Sequence, residues 1–178
     1  MNLVDLTELD VEWVIDLPYT TTNNFMKRVL YTDTRALLHK EPAEALVRVA
    51  RSLRPQNLFL KIWDGYRPMS VQQEMWDAVQ DERYISNPAV NKGRHTRGTA
   101  VDLTLVDTKG KELEMPTAFD AFIPEAAADA TTGLSQKAID NRTLLQKAML
   151  AHGFILLPSE WWHFDYQGWE DDERFPAG

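Results

Sequence analysis

"TAVDLTLV", residues 99–106, alternates strictly: Val101, Leu103 and Leu105 fall on one face, Ala100, Asp102 and Thr104 on the other. A period of two predicts a strand with one apolar face. Just upstream, "GRHTRG" (93–98) is a polar loop bounded by glycines. Asp102 is the residue out of place, because a carboxylate at mid-strand costs several kcal/mol to bury unless it is paired or ligates a metal.

Around this strand the periodicity changes. From Glu41, Pro42 suits a first helical turn, and Ala43, Leu46, Val47, Ala50 and Leu53 recur at three and four residues, predicting a helix that ends near Pro55. "LFLKIW" (58–63) reads as a short buried strand and "DGYRP" (64–68) as its turn-forming exit. A helix is expected from Ser70, whose hydroxyl would cap it with Gln73 three residues on, through "VQQEMWDAVQ" (71–80). Residues 136–152, with Leu144, Leu145, Ala148 and Met149, predict a last helix stopped by Gly153. "FILL" (154–157) and "WWHFDY" (161–166) predict an antiparallel strand pair around the Pro158 turn.

Residues 1–34, polar and turn-prone around "LPYTTTNNF" (17–25), are expected to form an irregular arm wrapping the core. Helices and strands without a regular βαβ rhythm predict an α+β fold, a central antiparallel sheet with flanking helices. No repeat or linker-like tract divides the chain, and 178 residues suit a single domain spanning 1–178.

A net charge of −8 without a basic stripe argues against a nucleic-acid partner. No stretch approaches the roughly 20 apolar residues of a membrane span. "MNLVDLTELD" (1–10) lacks a basic region followed by an apolar run, so the expected location is cytoplasmic, or periplasmic if a leader has been removed. The absence of cysteine excludes disulfides, thiolate metal sites and a cysteine nucleophile. Any metal must be held by nitrogen and oxygen.

Of the four histidines, His39 and His152 sit at helix boundaries, where structural or surface roles are expected. His95 has no apolar face to rest on. Seven extended residues would carry it about 23 Å from Asp102, too far for two ligands whose donors lie about 2 Å from one zinc ion, unless Gly98 bends the chain back. His163, between Trp162 and Phe164, offers a third ligand in apolar surroundings, and Glu160 stands three residues before it. Two histidines and a carboxylate leave zinc a position for water, whose proton a nearby glutamate could take. The plainer alternative makes Glu160 a solvated turn residue and His163 a core histidine; strict alternation from 160 would put the two on opposite faces, unless Glu160 belongs to the turn. Arg67, at the strand exit, suits an oxyanion or a carboxylate, or else a local salt bridge to Asp64.

"DGYRP", "HTRGTAVDLTL", "AFDAF" (118–122) and "SEWWHF" (159–164), in this order, resemble the D-alanyl-D-alanine dipeptidases, zinc enzymes of the vancomycin-resistance (VanX-like) type related to D,D-carboxypeptidases and L,D-endopeptidases. The resemblance runs from about Tyr19 through nearly the whole chain. It is most specific in H-x-x-G-x-A-x-D, matched by His95, Gly98, Ala100 and Asp102, and in E-x-W-H, matched by Glu160, Trp162 and His163. It implies a hedgehog-like or D,D-peptidase-like fold and one Zn²⁺ on His95, Asp102 and His163. It further implies Glu160 as catalytic base, Arg67 stabilising the tetrahedral intermediate, Asp120 meeting the substrate ammonium and Tyr19 helping to close the pocket. The implied reaction is hydrolysis of D-alanyl-D-alanine to two D-alanines. The competing readings are a peptidoglycan D,D-carboxypeptidase or L,D-endopeptidase on the same zinc core, and a catalytically silent zinc-stabilised binding module. One position departs from the pattern: Gly93 stands where the family usually has a serine that helps hold the substrate carboxylate, so the preferred dipeptide is open. The sequence leaves oligomeric state open as well.

Overall fold

The computed structural model describes residues 1–178. In chain order the elements are β1 (Leu3–Asp5), β2 (Val14–Ile15), β3 (Leu37–His39), α1 (Lys40–Leu53), β4 (Phe59–Asp64), α2 (Met69–Val79), α3 (Pro88–Asn91), β5 (Ala100–Val106), α4 (Gln136–Leu150), β6 (Phe154–Leu157) and β7 (Glu160–Tyr166). Five strands form the main sheet in the order β2-β4-β5-β7-β6, while β1 and β3 make a separate antiparallel pair. The fold is α+β, as expected. The sheet is antiparallel except at one edge, where two-residue β2 lies parallel to β4.

Strand β5 occupies the sheet's middle and has the one apolar face expected. Both faces of β5 are buried, because β4 and β7 flank it and each face is covered. Val101, Leu103 and Leu105 pack into the main core with Leu46, Val49 and Leu53 of α1 and Leu145 and Met149 of α4. Removing a leucine or valine side chain from water contributes about 1.5–3 kcal/mol, so this face anchors the strand. The opposite face, with Asp102, is turned toward the polar residues of the site described below.

Two further differences have local causes. Helix α2 starts at Met69 rather than Ser70. The Pro68 carbonyl accepts from the Val71 and Gln72 amides, so the turn is already closed and Ser70 makes no cap bond. At α4 the cap is the Ser135 hydroxyl, which accepts from the Ala138 amide at 3.0 Å. Residues 1–34 are not irregular throughout: they supply β1 and β2, and Tyr19 within them is buried in a second apolar cluster with Val71, Met75 and Ile85.

Candidate active site

His95 begins a single 3₁₀ turn, His95–Arg97, closed by Gly98, whose φ of 65° lies in the left-handed region and whose amide donates to the His95 carbonyl at 2.9 Å. A Cβ on Gly98 would meet Leu3 Cδ2 at 2.6 Å and the His39 backbone nitrogen at 2.9 Å, so only glycine fits where the loop crosses β1 and β3. The bend folds His95 back above β5. The loop is tied to the exit of β4, since the Arg67 amide donates to the His95 carbonyl at 3.1 Å and His95 Nδ1 donates to the Gly65 carbonyl at 2.7 Å.

That bond leaves the lone pair of His95 on Nε2. His163 is arranged the other way round: its Nε2 lies 2.8 Å from Asp165 Oδ1, and Nδ1 faces inward. Asp102 and His163 are direct partners across β5 and β7. Three buried donors therefore converge, with His95 Nε2 3.2 Å from His163 Nδ1 and 3.4 Å from Asp102 Oδ2, and His163 Nδ1 3.0 Å from Asp102 Oδ1. A tetrahedral zinc with bonds of about 2.0–2.1 Å separates its ligand atoms by about 3.3 Å. The 3.2 Å between the two imidazole nitrogens fits that ion, an oxygen of Asp102 stands beside each of them, and two imidazole nitrogens facing each other beside a carboxylate call for a cation between them.

The electrostatics agree. Burial alone would lower the proton affinity of His163, but Asp165 and Asp102 outweigh it and raise its pKa to about 10. Burial likewise disfavours ionised Asp102, yet His95 and His163 hold its carboxyl well below the usual range.

Glu160 opens β7 and does not belong to the turn. The β6–β7 register slips between Leu156, opposite Phe164, and Leu157, opposite Glu160, which breaks the alternation between 160 and 164. Glu160 Oε2 consequently lies 3.8 Å from His163 Nδ1. Burial raises its pKa well above the ordinary value; His163 opposes this, and Asp102 and Asp120 add to it. A carboxyl whose proton affinity is raised in this way is suited to take up a proton and release it again.

Arg67 makes its salt bridge and also lines the cavity. Its Nε and Nη2 donate to Asp64 Oδ2 at 3.0 and 2.7 Å, and its Nη1 donates to Gln72 Oε1 at 2.9 Å. A bulge at Trp63 brings Asp64 opposite Asp102, and Arg67 Nη2 lies 4.0 Å from Asp102 Oδ2. Tyr31 donates its hydroxyl to Asp64 at 2.6 Å. Asp120 has left-handed backbone, φ 58°, and accepts the Tyr19 hydroxyl at 2.9 and 3.1 Å. Burial first and Asp102 second push its pKa up to about 7, against Tyr19 and Arg67.

The structure thus gathers Tyr19, Arg67, His95, Asp102, Asp120, Glu160 and His163 around one small cavity. His39 and His152 lie elsewhere, His39 edge-on to Phe175 and His152 bonded to the Ala148 carbonyl. Sequence reasoning missed Asp165, Gln72 and Tyr31. Asp165 carried a usable signal, an acid between Phe164 and Tyr166 two residues after His163, on the same face of the strand.

A model of the peptidase M15 family, described as D-ala-D-ala dipeptidase, matches residues 1–177. The D-alanyl-D-alanine dipeptidase of Escherichia coli (strain K12) is 36% identical over 164 residues, covering 92% of this chain and 84% of that protein. The D-alanyl-D-alanine dipeptidase of Enterococcus faecium is 32% identical over 187 residues, covering 93% and 89%. Among solved structures, the LD-carboxypeptidase LdcB matches with a TM-score of 0.54 and 20% identity over 97% of this chain and 73% of that one, a likeness of fold.

Proposed function

The chain belongs to the D-ala-D-ala dipeptidase family, peptidase M15, and we propose that His95, Asp102 and His163 hold the zinc ion on which that family's hydrolysis depends, with Glu160, Arg67, Asp120 and Tyr19 acting on the substrate. The protein is a zinc metallo-dipeptidase that hydrolyses D-alanyl-D-alanine to two molecules of D-alanine. The observation that carries the site assignment is the convergence of three buried side chains, whose ligand atoms all lie within 4.8 Å of one another, beside a glutamate of raised pKa.

When bound, zinc supplies Lewis acidity, polarising the scissile carbonyl and bringing the pKa of water to about 7. The rest is the work of the chain. Glu160 takes the proton of the attacking water and passes it to the leaving amine nitrogen, so one carboxyl serves as base and then as acid. Arg67, held in place by Asp64 and Gln72, directs its remaining N–H groups at the carbonyl oxygen as negative charge develops there. Asp120, oriented by the Tyr19 hydroxyl, holds the substrate's ammonium group. An N-acylated substrate has no ammonium for Asp120 to meet, which supports a dipeptidase over a carboxypeptidase.

The test is hydrolysis of D-Ala-D-Ala, L-Ala-L-Ala and N-acetyl-D-Ala-D-Ala by protein stripped of metal and then reconstituted with zinc. Zinc-dependent release of D-alanine from the free D,D-dipeptide alone is expected; activity on the acylated substrate would reassign the enzyme as a carboxypeptidase. Glu160→Gln should retain stoichiometric zinc while kcat falls by about 10²–10⁴-fold. Unchanged turnover in that variant overturns its role.

A further inference from the structure

Asp165 is a buried carboxylate that no step of the hydrolysis uses. It lies two residues after His163 on β7, so alternation turns both side chains to the same face, and only 4% of its side chain is exposed. A charge so placed costs several kcal/mol unless it is paired and hydrogen-bonded. Here both oxygens are occupied: Oδ1 accepts from His163 Nε2 at 2.8 Å, and Oδ2 lies 3.0 Å from Arg94 Nε. Arg94 is itself held, by a hydrogen bond from Nη1 to Ser86 Oγ at 3.2 Å and by the Trp169 ring, whose centre is 4.8 Å from the guanidinium carbon.

The two histidines of the site are therefore backed differently. An imidazole can give a metal only an unprotonated nitrogen, so its one remaining proton must sit on the other. His95 places that proton against a neutral acceptor, the Gly65 carbonyl at 2.7 Å. His163 places it against a full negative charge. The inward Nδ1 of His163 is 3.0 Å from Asp102 Oδ1, so before a metal enters a second carboxylate competes for the same proton. A neutral carbonyl behind the ring would lose that competition; a second carboxylate, clamped by an arginine, matches it and keeps Nδ1 open.

We propose that Asp165 is a positioning residue for the metal centre, fixing His163 with its proton on Nε2 and Nδ1 turned to the ion, and that Arg94, anchored by Ser86 and Trp169, holds the Asp165 carboxylate in line for that task. The inference rests on the reading of His95, Asp102 and His163 as zinc ligands. A carboxylate drawing on the Nε2 proton also makes Nδ1 the stronger donor to the metal.

The test reads zinc affinity, by competition with a chelator of known affinity, and the ring nitrogens of the zinc-loaded protein in NMR spectra. Loss of the group behind a metal-bound histidine typically weakens metal binding by about 10–100-fold, and Asp165→Ala should fall in that range. Asp165→Asn, which keeps an acceptor oxygen without the charge, should lose less. Arg94→Gln, which leaves the carboxylate but frees it to turn, should also lose less than Asp165→Ala; wild-type affinity in that variant overturns the part given to Arg94. In the wild type the His163 Nε2 proton should appear far downfield and exchange slowly with water, and in Asp165→Asn it should move upfield. A role confined to packing would lower the melting temperature of the metal-free Asp165 variants while leaving zinc affinity and that resonance where they are, and this outcome overturns the inference. So does coordination of zinc through His163 Nε2 in the wild type, a result that stands whether or not the variants fold. A wild type that takes up no zinc would instead sink the metal-site reading.

Discussion

Asp120 shows how a single residue's surroundings set its behaviour. Its carboxyl is half-buried beside Tyr19, and its pKa is pushed up from 3.8 to about 7. Below about 3.8 it is neutral in both folded and unfolded chains and carries no penalty. Between 3.8 and about 7 the unfolded chain ionises while the folded chain keeps its proton, so stability falls as pH rises, and the loss is complete once pH passes the folded value. Asp120→Asn does not titrate. In the metal-free protein, the melting temperature of that variant should therefore gain on the wild type between pH 4 and pH 8; a gap that stays constant with pH would show the carboxyl to be unperturbed. In the role proposed for Asp120, the dipeptide's ammonium would reverse the penalty by pairing with the ionised form, so the same variant should raise KM for the free dipeptide more than it lowers kcat.

At the scale of elements, the site depends on how short segments bend. Gly98→Ala forces a side chain into left-handed backbone, at a cost of about 1–3 kcal/mol, and against the His39 backbone, which cannot retreat as a flexible side chain would. The variant should lose stability by denaturant titration and also zinc affinity, since the displaced turn carries His95; unchanged affinity would mean that the bend does not place this ligand. Much of this was legible beforehand. The alternation of 99–106 gave β5, the three-and-four spacing of Ala43, Leu46 and Ala50 gave α1, and Asp102 stood out because a carboxylate has no cheap place in a strand. What was not legible depends on pairing. Two-residue β2 has too little sequence to show a period, and its parallel partner β4 lies more than forty residues on. The buried polar face of β5 follows from its central place in the sheet, and the meeting of Glu160 with His163 from a register slip that strict alternation could not anticipate. Asp64 with Tyr31, and Asp165 with Arg94, are contacts between distant segments that no local pattern encodes.

The whole molecule is what brings the donors together. His95, Asp102 and His163 belong to a loop, the central strand and the strand beside it, and the pocket wall opposite comes from the first quarter of the chain through Tyr19. A ligand that binds the folded chain alone stabilises it, by about 4 kcal/mol at a thousand times its Kd. Stripping zinc should therefore lower the melting temperature measurably, in the Glu160→Gln variant as in the wild type. Equal melting temperatures with and without zinc would mean that the metal adds nothing to the fold.

The position of β7 has a consequence for the protein's synthesis. Two donors are made early, within seven residues of each other, but the third arrives with a strand that must settle between β5 and β6. A growing chain on the ribosome, even with β4 and β5 paired, holds only His95 and Asp102 and so only a weak grip on a metal ion. Tight capture waits until the sheet has taken in β7. Because Glu160 arrives on the same strand as His163, the proposed third ligand and the proposed base come into place together.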